Sequence, residues 1–103
     1  MKLWVDDVRP APEGYLRCFS ANAAIAWIQS AEYDKYAYGG KGVELIDIDH
    51  DAGEYVKDGG DYIKLLDWLE ETGRNYPIHI HSMNPVGVEN MRRIIKRNGW
   101  KEV

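Results

Sequence analysis

Three short stretches carry most of the side chains able to do chemistry. Asp6-Asp7-Val8-Arg9 sets two adjacent carboxylates just ahead of a guanidinium. Residues 46–51 read IDIDHD, three aspartates and a histidine with no lysine or arginine among them. Residues 79–84 read HIHSMN, two imidazoles followed by a hydroxyl and a carboxamide. Carboxylates held within a few ångströms repel, so they share a proton or bind a cation. A hard divalent ion takes oxygen ligands, often one or two protein carboxylates completed by water and phosphate. Asp6, Asp7 and Asp49 suit Mg²⁺ or Mn²⁺ in that way. His50 and His81 add borderline ligands or proton carriers, and both roles stay open. Arg9, and the amides at the start of a following helix, suit a phosphate.

These groups act together only if the fold delivers them to one place. Lys2 to Asp6 reads as a strand ending in acid, and Tyr15 to Phe19 as a second. Ser20 caps a helix whose stripe is Ala21, Ala24, Ile25 and Ile28. Residues 31–42 read as a loop or a frayed helix end. Val43 to Asp49 is a third strand, and 53–60 a polar loop. A second helix starts at Gly60 or Asp61, presents Tyr62, Leu65, Leu66 and Leu69, and ends at Gly73. Pro77 to Ser82 is a fourth strand. Asn84-Pro85 opens a third helix, with Val88, Met91, Ile94 and Ile95 apolar, and Asn98-Gly99 stops it. Residues 100–103 read as a truncated fifth strand at the sheet edge.

Alternating strands and helices predict an α/β domain with a parallel sheet of four to five strands, spanning 1–103. Ligands bind such sheets beyond the carboxyl ends of the strands. Asp6, Asp7 and Arg9 follow the first strand, Asp49, His50 and Asp51 the third, and His81, Ser82 and Asn84 the fourth. A parallel sheet brings all three sets to one rim. Only residues 7–14 join the first two strands, fewer than the ~12 a helical crossover needs. An extended loop must carry the chain back there.

Simpler roles compete for several of these residues. Asp7 can cap a turn, Asn84 a helix, and Ser82 is divided between turn and site. Asp47 reads as a structural hydrogen bond or an exposed edge residue, and His79 as a satisfied histidine. The basic cluster of Arg92, Arg93, Lys96 and Arg97 reads as a solvated helix face. Gly59-Gly60 is too weak a signal for a phosphate loop.

The net charge of −4 at 103 residues excludes wrapping of nucleic acid by bulk attraction. The single cysteine, Cys18, excludes an internal disulfide and reads as a small buried hydrophobe, in keeping with a reducing cytoplasm. No run approaches the ~20 apolar residues of a membrane span. The opening MKLWVDD turns acidic too early for a signal peptide.

An acidic pair after strand one, an aspartate after strand three and a hydroxyl residue after strand four resemble the receiver domain of response regulators. Four segments resemble the cyclic-phosphate processing receiver-like family more closely: KLWVDDVRPAPEG (2–14), IDIDHDAG (46–53), GGDYIKLLDWLEE (59–71) and IHIHSMNPVGVENM (78–91). The combination DDxRxxP, DHD and HSxNPxGxxNM is far more specific than any one part. The resemblance implies a receiver-like, flavodoxin-like three-layer sandwich that lacks the first helix. It implies metal-dependent hydrolysis of cyclic phosphates, either 2′,3′-cyclic ends of RNA or cyclic nucleotides. Asp6, Asp7, Asp49 and Asp51 would then hold Mg²⁺ or Mn²⁺. Asp49, His50, His81 and Arg9 would carry the chemistry, and Arg9, Ser82 and Asn84 would bind substrate. The partner is a phosphate-containing small molecule or an RNA end, with no membrane involved. Receivers also place a lysine after the fifth strand. Here Lys101 falls inside that strand, which puts phosphorelay signalling in doubt. A non-catalytic module that binds a metal or a phosphorylated ligand, or a phosphoacceptor at Asp49, is the alternative.

Overall fold

The first strand alternates in burial, and that alternation organises the molecule. In β1 (Lys2–Val5), Leu3 and Val5 are fully buried, while Lys2 is exposed and Trp4 half-buried. A computed structural model describes the backbone of residues 1–103 and every side chain except that of Tyr38. β1 lies between β2 (Tyr15–Cys18) and β3 (Leu45–Ile48), and β4 (Ile78–Ile80) pairs with β3. The order is β2-β1-β3-β4, and all pairs are parallel. Val5 is level with Cys18 and Ile48, and Ile48 with Ile80. The expected fifth strand is reduced to one parallel bridge, Ile78 to Glu102.

Three helices form the crossovers. α1 (Ala21–Tyr33) links β2 to β3, α2 (Ile63–Glu71) links β3 to β4, and α3 (Pro85–Asn98) follows β4. Each step moves the same way across the sheet, so right-handed crossovers put all three on one face. Helix α2 accordingly packs between α1 and α3. The core fills the space beneath: Val5, Ile46 and Ile48 from the sheet meet Ile28, Leu66 and Met91 from the helices, all fully buried. Each such side chain contributes about 1.5–3 kcal/mol by leaving water.

Local sequence sets the helix ends. Ser20 Oγ accepts from the Ala23 amide at 3.0 Å. Asn84 Oδ1 accepts from the Gly87 amide at 3.0 Å, with Pro85 in the first helical position. Gly99 closes α3 at φ +68, a left-handed conformation that glycine adopts freely. Three expectations shift. Helix α1 continues to Tyr33, and a short 3-10 helix (Ala37–Gly40) follows it. Helix α2 begins at Ile63 without a side-chain cap, because Asp61 accepts instead from the distant Ala52 amide at 3.0 Å. The expected polar loop at 53–60 contains a 3-10 helix, Gly53–Lys57.

The other sheet face carries Lys2, Trp4, Tyr15, Arg17, Asp47 and His79. No helix forms between β1 and β2, as the short connection predicts. That connection folds back over this face, and the Trp4 indole N–H donates to the Arg9 carbonyl at 2.9 Å. It supplies a thin third layer of the receiver-like sandwich. Among the described residues, no helix is long and apolar enough to cross a membrane.

Candidate metal and phosphate site

The ladder continues one step past the strand ends. The Asp6 amide donates to the Cys18 carbonyl (3.2 Å), the Asp49 amide to Val5 (2.9 Å) and the His81 amide to Ile48 (3.0 Å). Asp6, Asp49 and His81 therefore occupy one rung across β1, β3 and β4. Side chains on one rung of parallel strands point the same way, with neighbouring strands ~4.8 Å apart. One ligand atom from each of Asp6, Asp49 and His81 lies within 4.8 Å of the others. Two carboxylates and an imidazole fit a hard or borderline divalent cation.

Asp6 is fully buried. Its Oδ1 accepts from the amides of Val8 (2.8 Å) and Arg9 (3.0 Å), and its Oδ2 meets His81 Nε2 at 2.9 Å. Burial works to raise this carboxyl, but the two amides and His81 outweigh it and hold it below its ordinary value. His81 Nδ1 meets Asp47 Oδ1 at 2.6 Å, so both ring nitrogens face carboxylates. Burial works to lower His81, yet Asp47 and Asp6 overcome it and raise its pKa. The imidazole also stacks on Trp4, with centroids 3.9 Å apart and planes within 3°. Arg9 Nη1 donates to the His81 carbonyl at 2.6 Å, which fixes the guanidinium over this rim.

A second cluster stands at the start of α3. Asp49 Oδ1 accepts from the His50 amide at 2.8 Å, and there the chain turns away from the sheet. His50 Nδ1 pairs with Asp51 Oδ1 at 2.8 Å. Asn84 Nδ2 approaches His50 Nδ1 (3.5 Å) and Asp51 Oδ1 (3.4 Å). Ser82 Oγ accepts from the Asn84 amide at 3.1 Å, a turn contact. His50 packs directly on α3, since a Cβ at Gly87 would stand 2.4 Å from its Cγ.

The residues expected at the site thus divide. Asp6, Asp49 and His81 converge, with Arg9 above them. His50, Asp51, Ser82 and Asn84 form the second cluster. Asp7 and Asp51 stand outside the three-residue group. The Asp7 carboxylate lies against Gly53, where a Cβ would come within 2.3 Å of Oδ2, and Asp51 is exposed.

Two residues enter the site that their sequence positions did not announce. Asp47 is the partner of His81, and a carboxylate behind an imidazole is the usual orienter of a metal-binding histidine. The signal was strand parity: Trp4 and Asp6, Asp47 and Asp49, and His79 and His81 alternate onto one face. Tyr62, legible as a core residue and standing just ahead of α2, also lies within electrostatic reach of the acidic pocket. Its hydroxyl donates to the Phe19 carbonyl at 2.7 Å. Burial raises its pKa most, and the charges of Asp7, Asp6 and Asp49 raise it further.

An acidic rung at the carboxyl end of a parallel sheet, on a fold missing its first crossover helix, defines a receiver-type domain with an imidazole built into its pocket. The chain belongs to the cyclic-phosphate processing receiver domain family, whose model matches residues 1–97. Searches of curated proteins and of solved structures found no match.

Proposed function

We propose that this pocket hydrolyses cyclic phosphates of nucleotides with the help of a divalent cation. The observation that carries this reading is the single rung of Asp6, Asp49 and His81, with ligand atoms within 4.8 Å. Asp6, Asp49 and the Nε2 of His81 would hold Mg²⁺ or Mn²⁺, with Asp47 orienting the imidazole. Such an ion, when bound, polarises a phosphoryl oxygen and lowers the pKa of water. Arg9 neutralises charge growing on the phosphoryl oxygens. Water adds to phosphorus, one ring P–O bond breaks, and the freed ribose oxygen takes a proton, leaving a phosphomonoester. His50 suits the proton transfer, because Asp51 holds Nδ1 and leaves Nε2 for the substrate. Asn84, at the amide-rich start of α3, steadies the phosphate.

The test is direct. Purified protein with Mg²⁺ or Mn²⁺ is expected to open a 2′,3′-cyclic nucleotide, followed by phosphorus NMR. Inactivity across a panel of cyclic phosphates with several divalent ions removes the reading.

Gly87 offers a separate check on His50. Alanine suits the helix itself, but its Cβ would collide with the His50 ring, 2.4 Å from Cγ. Gly87→Ala is expected to cost about 1–3 kcal/mol of stability by overpacking. Turnover is expected to fall ~100-fold, as an ångström-scale misplacement of a catalytic group does. Melting and turnover measured on the same sample check this, and unchanged turnover would exclude a role for His50.

A further inference from the structure

Six of the large apolar side chains exposed among the described residues follow the carboxyl ends of strands: Val8, Phe19, Tyr55, Val56, Met83 and Val86. Two of them are in ring contact. Phe19, the only phenylalanine in the chain, is 41% exposed, and Tyr55 is 37% exposed. Their centroids lie 5.5 Å apart, with planes tilted by 34°. Contiguous exposed apolar surface, unlike single scattered side chains, marks binding sites, and these two rings are in contact.

Phe19 directly follows Cys18, the β2 residue level with Val5, so it continues the rung that holds Asp6. The Phe19 carbonyl accepts from the Tyr62 hydroxyl at 2.7 Å, which holds the backbone at this end of β2. Tyr55 follows Gly53, which abuts the Asp7 carboxylate. The Arg17 guanidinium lies 4.4 Å over the Phe19 ring. The segment carrying Tyr55 is tied to the start of α1: Asn22 Nδ2 donates to Asp58 Oδ1 at 3.0 Å, and the Asn22 amide to the Asp58 carbonyl at 3.3 Å. The pair is preorganised.

We infer that Phe19 and Tyr55 form a stacking platform for the base of a nucleotide whose phosphate lies in the Asp6–Asp49–His81 pocket. This rests on the reading of that pocket as a phosphate site. Two partly exposed rings offer far less than the ~800 Å² per partner of a stable protein interface. They suit one planar aromatic ligand, and aromatic stacking accepts any base because every base has a π-face. The platform makes the enzyme selective for nucleotides over base-free cyclic phosphates while leaving it tolerant of base identity.

Two probes decide this. One is turnover of adenosine 2′,3′-cyclic phosphate against ethylene cyclic phosphate, which has no base. The other is calorimetric binding of adenosine 3′-monophosphate against glycerol phosphate. Phe19→Ala and Tyr55→Ala are each expected to weaken the adenosine compounds roughly five- to 150-fold, the range for loss of one base–aromatic stack. The base-free compounds are expected to change less than about twofold on that account. Tyr55→Phe is expected to retain wild-type behaviour. Equal losses for both classes, or no loss for either, overturn the platform. Wild-type inactivity on every cyclic phosphate would count against hydrolysis, and the binding arm would still decide. Adenosine 3′-monophosphate bound no better than glycerol phosphate overturns the platform in that case.

Discussion

With Asp49→Asn, the rise in melting temperature that Mn²⁺ gives the wild-type protein is expected to disappear. A ligand bound only by the folded state stabilises it by about 2.7 kcal/mol at a hundredfold excess over Kd. A domain of this size gains roughly 4–8 °C per kcal/mol. Asp49 directly follows β3, between Asp6 after β1 and His81 after β4, so it lies at the centre of the rung. The substitution removes one negative charge and keeps an oxygen to accept from the His50 amide, now 2.8 Å away. Backbone geometry is therefore preserved, and relief of repulsion with Asp6 leaves the metal-free protein at least as stable. Even loss of a group behind a ligand costs 10–100-fold in metal affinity. A hundredfold weaker Kd leaves about 0.4 kcal/mol of stabilisation at the same Mn²⁺ concentration, close to the limit of a melt. Turnover is expected to fall by about the same hundredfold or more. A variant that kept the full wild-type shift would show that the ion binds elsewhere.

The placement of that rung was legible because strand ends are local facts. Asp6, Asp49 and His81 each close an apolar run, and parallel pairing does the rest. The helix ends were legible for the same reason, since Ser20, Asn84-Pro85 and Gly99 act on their own neighbours. What failed to show was set by distant partners. Asp61 looked like a cap but bonds the Ala52 amide, so α2 starts later. Asp47 looked like a structural acid in mid-strand, and it is one, but its partner His81 is 34 residues away. Asp49, His50 and Asp51 are consecutive yet separate into two clusters, because the chain leaves the sheet after Asp49. Spacing alone did not reveal that turn. Phe19 read as the last residue of a strand. Its contact with Tyr55 depends on the 53–57 segment arriving beside it.

His81→Phe is expected to be the most destabilising single change in the pocket. Phenylalanine can keep the stack on Trp4, now 3.9 Å between centroids, so little packing is lost. What is lost is the group that faces Asp6 and Asp47 together, 2.9 and 2.6 Å away. Asp6 retains the Val8 and Arg9 amides. Asp47, only 5% exposed, retains no side-chain partner. Breaking a buried ion pair from one side costs about 3–5 kcal/mol, because it strands a charge. If the stranded charge is the cause, Asp47→Leu added to His81→Phe recovers part of the loss. If the loss is only packing, the second change adds to it. The pH dependence gives an independent reading in chelator. His81 has a folded pKa above its ordinary 6.5, so its contribution is complete below that pH and fades as pH rises through the higher folded value. Asp6 has a folded pKa below its ordinary 3.8, so its contribution is complete above that pH and fades as pH falls through the lower one. Wild-type melting should therefore decline on the alkaline side of about 6.5, and the His81→Phe protein should lack that decline. Parallel wild-type and His81→Phe curves across neutral pH would mean that His81 carries no proton between its two aspartates.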